Sequence, residues 1–334
     1  MRGVHGLHHV TAISGPAQEN LDFYAGVLGM RLVKRSVNQD DPGTYHLFYA
    51  DAEGHAGTDL TFFPWTQMAP SREGHGLSSE VALAVPETSL DWWGERLTRY
   101  GARAGSIESR FGERTLPLTD PHGLRVALVE TAPAAGRGFT PWEQSPVPVE
   151  RQIRGLHGAR LVERDPAPTA AFLTTAMGFT LQATDGAWQR FVLAADAMGG
   201  ATSSGGLLSG GSGRHIDVCA MPDARRGAWG TGSIHHLAFR VEDDAHELAL
   251  RDRITALGAH PTPVIDRFWF KSVYFKEPGG VLFELATDGP GFAVDEDAAH
   301  LGEALVLPPW LEPARPRIEE VLPPLKMHAP AVSE

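Results

Sequence analysis

Glu284 sits in an apolar run, Val281-Leu282-Phe283-Glu284-Leu285, just after a Glu277-Pro278-Gly279-Gly280 turn. The run reads as a strand. Burying an unpaired carboxylate is costly, so this residue calls for a proton, a cation or a metal ion. Two other stretches offer what a metal needs: Leu7-His8-His9-Val10-Thr11 and Ile234-His235-His236-Leu237-Ala238. Two imidazoles and one carboxylate make the facial triad of a mononuclear Fe(II) or Mn(II) site with three open positions. Open positions let a substrate and dioxygen bind side by side. Strand alternation puts His9 on one face with Thr11 and His236 with Ala238, while His8 and His235 point the other way. The second histidine of each pair is therefore the expected ligand, and the first a supporting residue.

Two groups upstream of Glu284 suit substrate chemistry. Arg267, in Asp266-Arg267-Phe268-Trp269-Phe270, offers charge-assisted hydrogen bonds to an anionic substrate or intermediate. A hairpin across the Pro278-Gly279-Gly280 turn would bring Tyr274 beside Glu284, where a phenol donates a hydrogen bond or relays a proton. His46, in the strand over 45–49, is a weaker candidate that reads better as an ordinary strand histidine. No Gly-x-Ser-x-Gly elbow, Walker loop or His-Glu-x-x-His helix occurs, which removes the common alternatives.

The elements that must position these residues come in a repeat. A strand over 5–13 leads through Pro16 into a helix with Leu21, Tyr24, Val27 and Leu28 at helical spacing, stopped by Gly29. Strands over 31–37, 45–49 and 60–63 follow, with turns at Asp41-Pro42-Gly43 and over 51–57. The same β-α-β-β-β order returns with a strand over 79–85, a helix over 89–100 and strands over 114–118 and 124–130. It returns again where LHGARLVERDPAPTAAFLTTAMGF aligns without gaps to LHHVTAISGPAQENLDFYAGVLGM, and a fourth time from Gly232. The fold class is α+β, with four tandem βαβββ modules. Residues 1–131 hold the first pair, 132–154 a Pro/Gly-rich linker, 155–288 the second pair and 289–334 a tail with helical patterns over 298–304 and 316–321. The Gly/Ser-rich stretch over 194–213 is expected to be a mobile loop. Across the repeat His9 aligns with Gly158, His236 with Glu80 and Glu284 with Ala127, so each ligand position is filled in one copy and vacant or different in the other.

Composition narrows the class. The 334 residues are 42% hydrophobic and 21% charged, with a formal net charge of −12 and scattered basic residues. That argues against nucleic acid and anionic membranes as partners. No run of about 18 apolar residues occurs. The single cysteine, Cys219, excludes an internal disulfide and a cysteine-based metal site, and suits a reducing, cytoplasmic setting. A homo-oligomer is left open.

With these residues in hand, the chain resembles the vicinal oxygen chelate superfamily, which holds glyoxalases, bleomycin-resistance proteins and extradiol dioxygenases. Within it, the chain is similar to the hydroquinone ring-cleaving dioxygenases. The likeness rests on LHHVTAISGPAQENLDFYAGVLGMRLVKRSVNQDDPGTYHLFYAD, RGAWGTGSIHHLAFRV, DRFWFKSVYFKEPGGVLFELATDGPGF and LGEALVLPPWLEP. It implies His9, His236 and Glu284 as Fe(II) ligands, with Mn, Zn, Ni or Co as replacements in a purified sample. It implies Arg267, Tyr274 and His235 as catalytic residues and His8 and Thr11 as substrate-binding ones. Catechol extradiol enzymes take their ligands from the C-terminal half, but here Gly158 stands where a first ligand would be. Modules one and four must therefore pair around the metal, and modules two and three pair without one, giving two vicinal-oxygen-chelate domains. The implied activity is Fe(II)-dependent cleavage of hydroquinone or its methyl and chloro derivatives, inserting both atoms of dioxygen. The alternatives are a glyoxalase-like metal-dependent lyase or isomerase and a metal-free small-molecule binding protein.

Overall fold

A computed structural model describes residues 2–132, 138–194, 208–209 and 213–327. Module one comprises β1 (Leu7–Ser14), α1 (Ala17–Leu21, running on into a π-helical stretch Asp22–Val27), β2 (Arg31–Asn38), β3 (Asp41–Ala50) and β4 (Asp59–Pro64). Module two comprises β5 (Leu77–Pro86), α2 (Leu90–Arg99), the short β6 (Arg103–Ala104) and β7 (Glu108–Arg110), then β8 (Glu113–Thr119) and β9 (Arg125–Thr131). After β10 (Gly138–Phe139), module three runs through β11 (Leu156–Glu163), α3 (Pro166–Phe172, again followed by a π-helical stretch, Leu173–Met177), β12 (Thr180–Asp185), β13 (Trp188–Val192), β14 (Leu208–Ser209) and β15 (His215–Ala220). Module four holds β16 (Ile234–Val241), α4 (Asp244–Ala256), β17 (Ile265–Asp266), β18 (Lys271–Lys276) and β19 (Leu282–Thr287), and α5 (Arg315–Val321) lies in the tail. The 194–213 loop lies almost wholly outside the described residues.

Local chemistry sets these boundaries. Asp165 and Asp243 cap α3 and α4 by accepting from the backbone N–H of Ala167 and His246, and Pro166 opens α3. In α2, Leu90, Trp93 and Leu97 recur at helical spacing and are buried. The turn expected at Asp41-Pro42-Gly43 falls earlier, at Gln39-Asp40, and β3 already starts at Asp41. The Asn38 carboxamide accepts the Asp40 N–H at 2.9 Å, an Asx turn that closes the hairpin sooner. Pro42 is tolerated because β4 pairs with β3 only from Leu47 onward.

The two sheets interlace the modules as expected. One has the order β17-β18-β19-β16-β1-β4-β3-β2, which joins module four to module one through antiparallel β16 and β1. The other has the order β12-β13-β15-β11-β5-β9-β8-β6, with β7 beside β8, and joins modules three and two through β11 and β5. Alternate strand residues such as Val10, Leu60, Phe62, Leu237 and Phe239 share one large apolar cluster with Leu21, Tyr24, Leu250 and Ile254 of the helices. The opposite face of the first sheet is floored by a smaller cluster of Val33, Phe48, Ala50, Ala238 and Ala286 with Trp269, Phe270 and Phe292. No helix among the described residues is long and apolar enough to cross a membrane.

Strict alternation fails at two places in β1–β16. The register slips between Leu7 and His9, so His8 is an extra residue in β1. It slips again between Thr11 and Ala12, where the partner passes from His236 to Ile234 and leaves His235 extra in β16. Each β-bulge turns the first histidine of its pair away from its expected face. The second sheet repeats both slips, at His157 in β11 and Ser79 in β5.

The tail straps the first sheet. The buried Lys34 ammonium donates to Phe292 O at 3.0 Å and to Asp295 at 2.8 Å, and also pairs with Glu296. Of the helical pattern over 298–304, only a 3₁₀ turn, Ala298–His300, forms. Its carbonyls are held by the Arg31 guanidinium instead of a helical ladder, and Leu305 then bridges to Arg35 of β2.

Modules three and four meet at a buried acid pair. Glu163 ends β11 directly under Gly279, where a Cβ would overlap its carboxyl group. Burial and the neighbouring Glu277 push the Glu163 carboxyl up to about 8, against a smaller opposing effect of Arg226. A raised acid binds its proton more tightly in the folded chain, so its penalty is absent below the unfolded value near 4.3 and grows until pH passes about 8. Glu163→Gln is therefore expected to raise the melting temperature at pH 8 to 9 and to leave it unchanged near pH 4.5, as thermal unfolding across that range would show.

Candidate metal centre

His9, His236 and Glu284 meet on the concave face of the first sheet. They come from β1, β16 and β19, which lie side by side in the middle of it. Register brings them level: Thr11 is opposite His236, and Ala238 is opposite Glu284. All three are at least 97% buried, with exposures of 2%, 3% and 0%. His9 Nε2 lies 3.2 Å from His236 Nε2 and 3.3 Å from Glu284 Oε2, and His236 Nε2 lies 2.8 Å from the same oxygen. Glu284 Oε2 nevertheless accepts no well-formed hydrogen bond, while Oε1 accepts from Ser272 Oγ at 2.5 Å. Three lone pairs converging on one point fit a metal ion. Ligand atoms at right angles around a metal, each about 2.1 Å from it, stand about 3.0 Å apart. Burial alone would raise the Glu284 carboxyl, but the His9 and His236 imidazoles hold it well below the usual carboxylate range.

The bulges supply the next layer. His8 Nδ1 lies 2.9 Å from His9 Nδ1, and His235 Nδ1 lies 2.8 Å from His236 Nδ1. Burial first, and the adjoining imidazole second, pull His8 and His235 down to about 3, so both rings are neutral at physiological pH. With Nε2 of the inner ring facing the centre, its Nδ1–H donates to the outer ring's Nδ1. That bond orients the inner ring and raises its basicity.

A cavity of about 520 Å³ opens over this cluster, and His9, His46, His235, His236, Arg267 and Tyr274 are among its lining residues. Phe48, Phe63 and Trp65 form an aromatic wall. Tyr274 is opposite Glu284 across β18–β19, with its ring edge-on to His236 at 5.6 Å. Burial and the Glu284 charge push its hydroxyl above the usual tyrosine range, so it keeps its proton. The Arg267 guanidinium lies 5.4 Å from the Tyr274 ring centre and forks onto both Asp40 oxygens, at 3.2 and 2.8 Å. Gln39 Nε2 donates to Arg267 O at 2.9 Å. The next residue, Phe268, has φ +74°, a backbone state that costs a side-chain-bearing residue about 1–3 kcal/mol.

Two expected substrate contacts are indirect. His8 lies behind His9, its ring centre 5.3 Å from Phe270, and does not line the cavity. The bulge turns its ring onto His9, away from the open space. Thr11 does not line the cavity either, because its hydroxyl is taken by Thr61 Oγ at 2.8 Å. Sequence reading missed Ser272, Asp40, Gln39 and Thr61. Ser272 shares strand parity with Tyr274 and was findable from that signal. Asp40 and Gln39 sit in a hairpin turn, where no periodicity marks them.

Among the described residues, the aligned positions of the second sheet hold no equivalent triad. Gly158, Glu80 and Ala127 stand at the aligned positions, and guanidinium groups supply the positive charge. Arg110 pairs with Glu80 at 2.5 Å, and Arg190 pairs with Asp217 at 2.7 Å and with Glu113. Glu113, His157 and His215 do come together, but the Glu113 carboxylate already holds Arg190. A third group, His5, Glu242 and His246, has its carboxylate tied to Arg2 at 2.6 Å.

The Glyoxalase/Bleomycin resistance protein/Dioxygenase superfamily matches residues 6–128 and again 155–285. A Bacillus subtilis (strain 168) protein named "Putative ring-cleaving dioxygenase MhqO" is 40% identical over 96% of this chain and 97% of its own. The chlorohydroquinone/hydroquinone 1,2-dioxygenase of Sphingobium indicum is 32% identical over 92% of this chain and 93% of its own. Among solved structures, a "putative dioxygenase" from Bacillus subtilis superposes with a TM-score of 0.87 at 39% identity, covering 98% of this chain and 99% of that one. Members of this superfamily depend on a metal, and the buried triad of the first sheet has the donors for one. Matched in both halves by the superfamily and over nearly its whole length by relatives bearing dioxygenase names, the chain belongs to the Glyoxalase/Bleomycin resistance protein/Dioxygenase superfamily.

Proposed function

We propose that the protein is an Fe(II)-dependent dioxygenase that cleaves the ring of hydroquinone or its methyl and chloro derivatives and inserts both atoms of dioxygen. The observation that carries it is the buried triangle of His9 Nε2, His236 Nε2 and Glu284 Oε2 under an aromatic-walled cavity. Two imidazoles and one carboxylate are the donor set of non-haem Fe(II) oxygenases, with room left for substrate and dioxygen. Bound there, Fe(II) supplies the electron path between an electron-rich ring and dioxygen. Mn, Zn, Ni or Co would fit the same donors in a purified sample. The hydroquinone relative above supports the substrate class.

The chain's own groups have distinct tasks in this reading. The two oxygens of a para-diol point in opposite directions, so one phenolate faces the triad and the other lies across the cavity. Arg267, pinned by Asp40, presents positive charge to the phenolate. Tyr274 keeps its proton and donates a hydrogen bond from beside Glu284. Phe48, Phe63 and Trp65 hold the ring and exclude water. His8 and His235 keep the inner imidazoles in place. A glyoxalase-like reaction would need a free carboxylate base over the metal. The carboxylates lining the cavity are committed: Asp40 to Arg267, and Asp41 to Thr44 and Trp65. Oxygen-electrode assays of Fe(II)-loaded protein are expected to show rapid uptake with hydroquinone, methylhydroquinone and chlorohydroquinone, and slower uptake with catechol. No uptake with any hydroquinone would sink the reading.

A further inference from the structure

We propose that His46 receives the distal hydroxyl of the substrate, the one that does not face the metal triad, and so selects for a para-diol. This rests on the hydroquinone reading above. His46 reads from sequence as an ordinary strand histidine, yet it lines the cavity. It stands on β3, which lies beyond β4 from the β1 strand that carries His9. Two strand spacings, about 10 Å, separate their backbones. Across a concave sheet that span suits a metal-bound phenolate ring with a hydrogen bond at its far oxygen.

The imidazole is held in place for this task. Its ring centre lies 3.8 Å from that of Phe48 and 4.4 Å from that of Phe63. Its Nε2 lies 3.0 Å from Thr61 Oγ, which in turn lies 2.8 Å from Thr11 Oγ. Nδ1 has no hydrogen-bond partner among the described residues, and it is not one of the sealed polar atoms. When Nε2–H donates to Thr61 and the Thr61 hydroxyl donates to Thr11, Nδ1 carries a lone pair towards the cavity. A neutral imidazole in that tautomer accepts an O–H and has nothing to offer a bare C–H. Burial favours the neutral ring. Thr11 thereby acquires a role that does not require it to touch the substrate: through Thr61 it sets the tautomer of His46. Gln39 is bound to Arg267 O, and Asn38 accepts from the Asp40 backbone.

The test is equilibrium binding without oxygen, on metal-loaded wild type, His46→Phe and His46→Gln. Quenching of Trp65 and Trp269, which line the cavity, reports occupancy. The probes are hydroquinone and phenol, which lacks the distal hydroxyl. His46→Phe is expected to weaken hydroquinone about tenfold, the worth of one hydrogen bond, and phenol less than about twofold. His46→Gln, whose amide oxygen can accept the same hydroxyl, is expected to hold hydroquinone within about threefold of wild type. Equal losses for both probes in His46→Phe, unchanged hydroquinone binding in that variant, or a hydroquinone loss in His46→Gln as large as in His46→Phe would overturn the assignment. Failure of the hydroquinone reading looks different: wild-type protein would then take up no oxygen with hydroquinone, whatever the binding constants.

Discussion

Glu284→Gln is expected to empty the metal centre and stop oxygen uptake. The substitution keeps the shape of a side chain that is fully buried in β19, so packing around Phe283 and Leu285 is preserved. It replaces the anionic donor with a neutral amide, leaving two imidazoles and no charge to balance a divalent ion. Ser272 can still donate to the remaining carbonyl oxygen, so the fold keeps that bond. Loss of an outer partner of a ligand typically costs 10- to 100-fold in metal affinity, and loss of the ligand itself costs more. Metal analysis after anaerobic loading should find less than about a tenth of wild-type iron, and oxygen uptake below about 1%. The far-ultraviolet circular dichroism should match wild type. Wild-type iron content and full activity in this variant would remove Glu284 from the centre.

Arg267→Gln is expected to separate binding of the metal from use of it. The guanidinium touches none of His9, His236 or Glu284; it forks onto Asp40 and covers the Tyr274 ring. Iron content should therefore equal that of wild type. Charge aimed at a developing anion from a buried position is worth about 10²- to 10³-fold in rate, so kcat/KM for hydroquinone should fall by about that factor. Steady-state oxygen uptake with iron quantified in the same sample checks both halves. An Arg267→Gln variant that lost iron in proportion to activity would make the arginine a structural support of the centre.

The repeats were legible because they rest on side-chain type: Leu, Phe and Gly recur at the same steps in LHHVTAISGPAQENLDFYAGVLGM and its counterpart. The pairing of modules one and four followed from which copies carry ligand-type residues. Parity then chose His9 and His236 over His8 and His235. It placed the outer pair wrongly, because a bulge is set by the partner strand's register and not by the strand's own residues. The same limit hid Asp40, whose position depends on where the β2–β3 turn closes. His46 looked ordinary because nothing in its own strand announces Thr61, which belongs to the next one.

The interlaced connectivity has a consequence for how the protein is made. β1 leaves the ribosome well before its antiparallel partner β16, which follows only after modules two and three. Until then one edge of β1, with the ligand-type His9 on it, has no partner, and unpaired edges of this kind invite association with other chains. Modules two and three can close their own sheet around β5 and β11 in the meantime. The inner half is thus a scaffold completed early, and the triad is assembled last. A chain that stalls between His236 and Glu284 would carry both histidine pairs and still lack the carboxylate, so a premature product is left without a complete triad.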